Sequence, residues 1–193
     1  MKKIFAVMAA CLLLCGCVVG SLSPFYTDNL IVAQPALNGS WYFTEDIDAH
    51  DESPLVFADG KMTIYDDKGV PADAKATFFK VDDTIFLDIF ADQGRLRQDV
   101  SKDQAPVHLL SRVKILGPDK ISFNALDLEW LGESVQAGNI KLPYKKTAPE
   151  NVDIVFTATP AQWVEFLRQH KDDPKLFPLD KEACLVRKAV SSQ

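Results

Sequence analysis

Two β-rich runs, separated by only two residues, constrain this chain most. Lys75-Ala76-Thr77-Phe78-Phe79-Lys80-Val81 leads through Asp82-Asp83 into Thr84-Ile85-Phe86-Leu87-Asp88-Ile89-Phe90. β-branched and aromatic residues dominate both runs, and such side chains suit a pleated, half-buried surface. A two-residue acidic link between them reads as the turn of an antiparallel hairpin. Trp41–Thr44, Lys61–Tyr65, Val107–Leu116, Lys120–Leu126, Asn139–Leu142 and Asp153–Thr157 supply further candidate strands. Turn formers punctuate them at Asp59-Gly60, Asp66–Gly69 and Gly117–Lys120. Strands at this spacing predict an antiparallel barrel or sandwich.

One helix interrupts the pattern. Thr159 suits an N-cap, Pro160 the first helical position, and Gln162 falls three residues after the cap. Trp163, Phe166 and Leu167 then form an i, i+3, i+4 stripe. Asp172-Asp173-Pro174 ends it, because proline disfavours helical geometry in the residue before it. A last strand follows at Ala183–Arg187. Residues 127–137, around Trp130 and Leu131, read as a short helical or irregular excursion. No internal repeat or second domain boundary is visible.

The first residues carry a different signal. Lys2 and Lys3 precede an apolar run, Ile4–Leu14, and Leu14-Cys15-Gly16-Cys17 follows. A basic start, a short apolar stretch and a small residue before the cleavage point are the marks of a secretory signal peptide. The run is about half the roughly 20 residues that a membrane-spanning helix needs. Leu14-Cys15-Gly16-Cys17 resembles the Leu-x-Gly-Cys lipobox of bacterial lipoproteins. That resemblance implies cleavage after Gly16, a diacylglyceryl thioether on Cys17 and further acylation, palmitate-like, at the new amino terminus. Cys15 is the poorer site, since bulky Leu14 would flank the cut. Val18 is not the aspartate associated with inner-membrane retention, so the resemblance favours the periplasmic face of an outer membrane. The expected organisation is a signal at 1–16, a lipidated lead-in at 17–36 and one domain at 37–193. Phe25, Tyr26, Leu30, Ile31 and Val32 make the lead-in too apolar for a free tether.

Charge and cysteine content narrow the partners. The formal net charge is −6, and loss of Lys2 and Lys3 makes it −8. An acidic body argues against nucleic acid and against a polybasic grip on lipid, leaving acyl chains as the anchor. Of the four cysteines, only Cys184 remains unmodified after processing. No intramolecular disulfide is then possible, and Ala183-Cys184-Leu185-Val186 suggests a buried, inert thiol.

Gly39-Ser40-Trp41 opens the first strand. It resembles the Gly-x-Trp signature of lipocalins and related calycin barrels, as does the order of strands, one helix and a final strand. The resemblance implies a mainly β fold: an antiparallel barrel with one C-terminal helix followed by a last strand. In such barrels Trp41 would lie across the closed end, under a basic side chain from late in the chain. Arg187 is the first candidate for that partner and Arg112 the second. The second lipocalin signature, a Thr-Asp-Tyr type turn, has no convincing counterpart around Val81–Thr84.

Chemistry is harder to find. His50, His108 and His170 stand near no sequence-evident nucleophile, and no glycine-rich phosphate loop or zinc-like cysteine spacing occurs. Gly132-Glu133-Ser134-Val135-Gln136 starts like a nucleophile elbow but lacks its closing glycine. Asp46, Asp48 and His50 offer cation-ligand chemistry, yet a solvated acidic loop is the commoner meaning of such a cluster. The chain is therefore expected to be non-enzymatic and without a cofactor. Two roles remain. In one, Phe78, Ile85, Phe86, Ile89 and Phe90 line a cavity for a small apolar ligand at the membrane. In the other, the barrel is filled and its surface docks an envelope protein.

Overall fold

The computed structural model describes residues 20–44, 53–66, 69–91, 107–146 and 154–187. Its strands are β1 (Gly39–Phe43), β2 (Leu55–Ala58), β3 (Lys61–Tyr65), β4 (Pro71–Val81), β5 (Thr84–Ala91), β6 (Val107–Gly117), β7 (Lys120–Ala125), β8 (Tyr144–Lys146), β9 (Ile154–Phe156) and β10 (Glu182–Val186). Two helices, α1 (Leu128–Gln136) and α2 (Pro160–His170), lie between β7 and β10. Eight strands close on themselves in the order β1-β10-β7-β6-β5-β4-β3-β2, while β8 and β9 form a separate pair. Every neighbouring pair in the barrel is antiparallel. Closure gives each barrel strand a partner on both sides and so removes the exposed edge of an open sheet.

The expected hairpin is β4–β5, registered from Val81↔Thr84 to Lys75↔Phe90. Its turn is Asp82-Asp83, with Asp82 at φ +54°, a region that aspartate tolerates better than most residues. At Asp59-Gly60 both residues have positive φ, 50° and 74°, as a tight primed hairpin turn requires.

Period-two alternation divides the strand residues between two apolar cores. Trp41, Leu55, Phe57, Met62, Ala74, Ala76, Leu87, Val113, Ile121, Phe123 and Leu185 fill the barrel. Phe79, Val81, Phe86 and Leu110 point outward instead, beneath α1, α2 and the lead-in. That second core also holds Phe25, Leu131, Phe156, Trp163, Leu167 and Phe177.

The lead-in crosses the outside of the barrel. Ser21 exchanges backbone hydrogen bonds with His108 on β6, Phe25 N–H reaches Asp88 on β5, and Val32 N–H donates to Phe78 O on β4. A short 3-10 turn, Pro35–Leu37, then delivers the chain to β1. Ser21 also lies beside Phe156 in a parallel bridge, so the same segment joins the β8–β9 pair to β6.

The helix signals act as their chemistry directs. Thr159 Oγ1 accepts from Gln162 N–H at 3.3 Å, and Gln162 Oε1 accepts from Thr159 N–H at 2.9 Å, a reciprocal capping box. Asp127 caps α1 by accepting from Trp130 N–H at 3.1 Å. The excursion at 127–137 is thus a second helix.

Three expectations need correction. Asn139–Leu142 is no strand: it follows Gly138, at φ +78°, as α1 unwinds, and pairing starts only at Tyr144. β2 had no counterpart among the expected strands, being four residues long and next to the Asp59-Gly60 turn. Cys184, expected buried, is a half-buried free thiol on β10, opposite Ser122.

Candidate functional site

One end of the barrel is sealed by residues from both ends of the domain. Trp41 is fully buried, and its indole N–H donates to Leu37 O at 2.8 Å, tying the ring to the 3-10 turn. The Arg187 guanidinium carbon lies 4.5 Å from that ring's centroid, within cation–π range. Arg187 Nη2 also donates to Ala36 O and Asn38 O, and its backbone N–H donates to Asp119 O. Gly39, at φ +116°, occupies backbone space that L side chains rarely adopt. A Cβ there would stand 3.3 Å from Arg187 Nη1, so the missing side chain also admits the guanidinium. Arg112, the second candidate for the tryptophan, is elsewhere: its guanidinium lies 5.0 Å from the Phe177 ring centroid and donates to Lys171 O.

Above this floor the interior is mainly apolar, with Ser111 of β6 on the same face opposite Leu87. Phe57 meets Phe78 and Phe123 at centroid distances of 5.6 and 5.9 Å. The buried polar side chains on the described barrel strands, Asp88, Ser122 and Asn124, all belong to outward-facing positions. Burial is complete at Trp41, Ile121 and Leu185, whereas Phe43, Ile64, Phe78, Ile85 and Ile89 pack on the same cluster only half-buried. Phe43 and Ile64 stand near strand ends away from the floor. The connections that follow there, 45–52, 67–68 and 92–106, are outside the described residues.

The five expected cavity residues do not share a face. Phe78, Ile85 and Ile89 pack against the interior cluster. Phe86 belongs to the outer core, stacked on Phe79 at 5.4 Å and meeting Phe177 at 5.9 Å. Phe90 stacks on His108, also on the outer face, at 4.6 Å. Strict alternation along β5 makes this division unavoidable, since successive side chains of a strand point to opposite sides. Gly16, Cys17, Asp46, Asp48 and His50 lie outside the described residues.

A polar knot that sequence reasoning missed lies outside the barrel wall. Asp88, with its side chain 2% exposed, accepts Phe25 N–H at 3.0 Å and lies 2.7 Å from His108 Nδ1. An aspartate–histidine pair suggests acid–base chemistry, so the nearby hydroxyl matters. Ser21 Oγ is already committed, donating to Ser23 O at 2.7 Å and accepting from the Trp163 indole at 2.9 Å. The knot fastens the lead-in to β5 and β6 without presenting a nucleophile. Its one sequence signal was a single charge inside the apolar run Ile85–Phe90. Ser134, from the incomplete elbow pattern, is buried within α1 and not on a strand-to-helix turn.

An open recess of about 320 Å³ lies between Asn139–Pro143 and the α2 residues Gln162, Glu165, Phe166, Gln169 and His170. Among the described residues, no group of three or more histidine, cysteine or carboxylate side chains is arranged to hold a metal ion.

Fold and floor together define a class of architecture: a closed, eight-stranded antiparallel barrel, sealed at one end and consistent with a lipocalin-like fold. No family model, curated protein or solved structure matches the chain.

Proposed function

We propose that this protein is a lipid-anchored protein of the bacterial envelope whose barrel takes up a small apolar molecule. The observation that carries the binding role is the interior itself: apolar walls, a sealed floor, and half-buried Phe43, Ile64 and Ile89 toward the other end. Such a lining offers an apolar ligand dispersion contacts and removal from water, with no charged group to desolvate. The anchor rests on Leu14-Cys15-Gly16-Cys17 and on the acylation of Cys17 it implies. No reaction is assigned: the buried Asp88–His108 pair is engaged in holding the lead-in.

A second reading has its own support. The Phe57–Phe78 and Phe57–Phe123 contacts span interior space, as in a small barrel filled by its own side chains. In that case the surface, not the interior, would meet an envelope protein.

Titration of the full chain with N-phenyl-1-naphthylamine, an apolar fluorophore, separates the two. The binding role predicts saturable enhancement that Ala76→Phe abolishes, since Ala76 belongs to the interior cluster. Ala76→Phe must retain the wild-type circular dichroism for the comparison to hold. No saturable uptake by the wild type favours the filled barrel.

A further inference from the structure

Gly20, where the described chain joins the fold, is three residues along the chain from Cys17. Gly20 O accepts from Phe156 N–H at 2.9 Å, and Leu22 N–H donates to Phe156 O at 3.0 Å. Ser21 is fixed to His108 on its other side by bonds of 3.1 and 2.8 Å. Three residues span at most about 10 Å. A lipid on Cys17 therefore holds this part of the domain close against the bilayer.

The register identifies which edge lies there. Ser21 and Phe156 pair in parallel, so Gly20 lies on the Ile154 side of Ser21 along β9. On the far side of β9, β8 runs antiparallel, with Lys145 opposite Val155 and Lys146 opposite Ile154. Gly20 is thus level with Lys145, two strand spacings or about 10 Å away. The step from Ser21 to Gly20 points toward the Lys146 end of β8. Tyr144, Lys145 and Lys146 are all exposed, and among the described residues β8 pairs only with β9.

We infer that β8 is a membrane-contact edge whose Lys145 and Lys146 meet anionic lipid headgroups while the acyl chains on Cys17 hold it there. The inference rests on the anchor proposed above and adds an orientation to it. Charge supports a lipid occupant: these two adjacent cations lie on a chain of formal net charge −6. An anionic surface attracts that edge and repels the acidic remainder, which sets a preferred attitude. Tyr144 has the apolar ring and polar tip that suit an interface. A partner strand is the less favoured occupant, because lysines on an open edge discourage strand addition.

Lysine footprinting tests this on the full chain, purified from bacterial membranes and reconstituted on vesicles. One set contains phosphatidylglycerol, and the other is phosphatidylcholine alone. Lys145 and Lys146 should label roughly fivefold more slowly on phosphatidylglycerol vesicles than in detergent, with protection reduced at high salt. Lys61 and Lys75, exposed on β3 and β4, should label equally in both. Flotation with the vesicles and an acyl mass on Cys17 report the anchor separately. Flotation without protection overturns this inference and leaves the anchor standing. A chain that neither floats nor carries acyl mass overturns both. Equal protection on the two vesicle types overturns the headgroup contact, and protection only in native envelopes assigns the edge to a protein instead.

Discussion

The inner and outer cores of this protein are built from opposite faces of the same strands, and they differ in kind. Inside the barrel, Leu87 and Val113 belong to an apolar cluster whose side-chain hydrogen bonds gather at the floor around Trp41 and Arg187. Outside, Phe79, Phe86 and Leu110 share their layer with Asp88, His108, Arg112 and Asn124. An apolar enclosure can exchange one apolar occupant for another at modest cost. A layer threaded with specific hydrogen bonds has one correct arrangement, because each buried polar group needs its partner. The proposed ligand role draws on the interior, while the exterior fastens the lead-in, both helices and the β8–β9 pair.

The largest test asks whether the outer core is as integral as the inner one. Trp163 is fully buried, contacts Phe25, Phe156 and Phe166, and donates to Ser21 Oγ. Trp163→Ala and Trp41→Ala should each lower unfolding free energy by about 3–5 kcal/mol in urea denaturation, in a single transition. If Trp163→Ala costs little, the outer layer is an appendage on an independent barrel.

A smaller change probes the polar knot alone. Asp88→Ala leaves Phe25 N–H and His108 Nδ1 without their shared acceptor, at a cost of about 1–3 kcal/mol. Hydrogen exchange at Phe25 should accelerate with it, whereas exchange at Leu185, in the inner core, should follow only the global loss. Equal acceleration at both would erase the distinction between the layers.

At the floor, Arg187→Leu removes a cation–π contact worth about 0.5–2 kcal/mol, together with the bonds to Ala36 O and Asn38 O. The near-ultraviolet signal of Trp41 should change with it. An unchanged signal would mean that Arg187 does not order the indole.

The gentlest test uses pH. Ser122 Oγ donates to Glu182 Oε1 at 2.7 Å, and this bond, with Lys114 beside it, holds the Glu182 carboxyl below its ordinary value of 4.5. A carboxyl lowered by folding stabilises the fold above its unfolded-state value, and that contribution fades as pH falls through the folded value. The stability gap between wild type and Glu182→Gln should therefore be full near neutrality and shrink below pH 4.5. Denaturation midpoints across the acid range measure it, and a gap independent of pH would remove the charge from the account.

Much of the barrel was legible because its signals are local. The β4–β5 hairpin needed only two β-rich runs and a two-residue turn, and α2 announced itself through Thr159, Pro160 and Gln162. The outer core was not legible. Its Asp88–His108 pair spans 20 residues, and Phe25 N–H reaches Asp88 across 63, distances no periodicity encodes. Apolar character on both faces of β5 signalled two buried sides, but did not say which aromatic residues belonged to which. Phe86 and Phe90 were grouped with the cavity although alternation sets them opposite Ile85 and Ile89, and which of the two faces turns inward is decided by the closed barrel. The floor was partly legible, since Gly39-Ser40-Trp41 is contiguous while Arg187 comes from the far end of the domain.

Native mass spectrometry of the full chain, released gently from the membranes of a bacterial host, tests the binding role most directly. The account predicts a reproducible apolar adduct beyond any covalent acyl mass, lost on denaturation and absent from Ala76→Phe. A chain that carries only its covalent mass, and that takes up no apolar fluorophore, would contradict an interior built to hold a ligand.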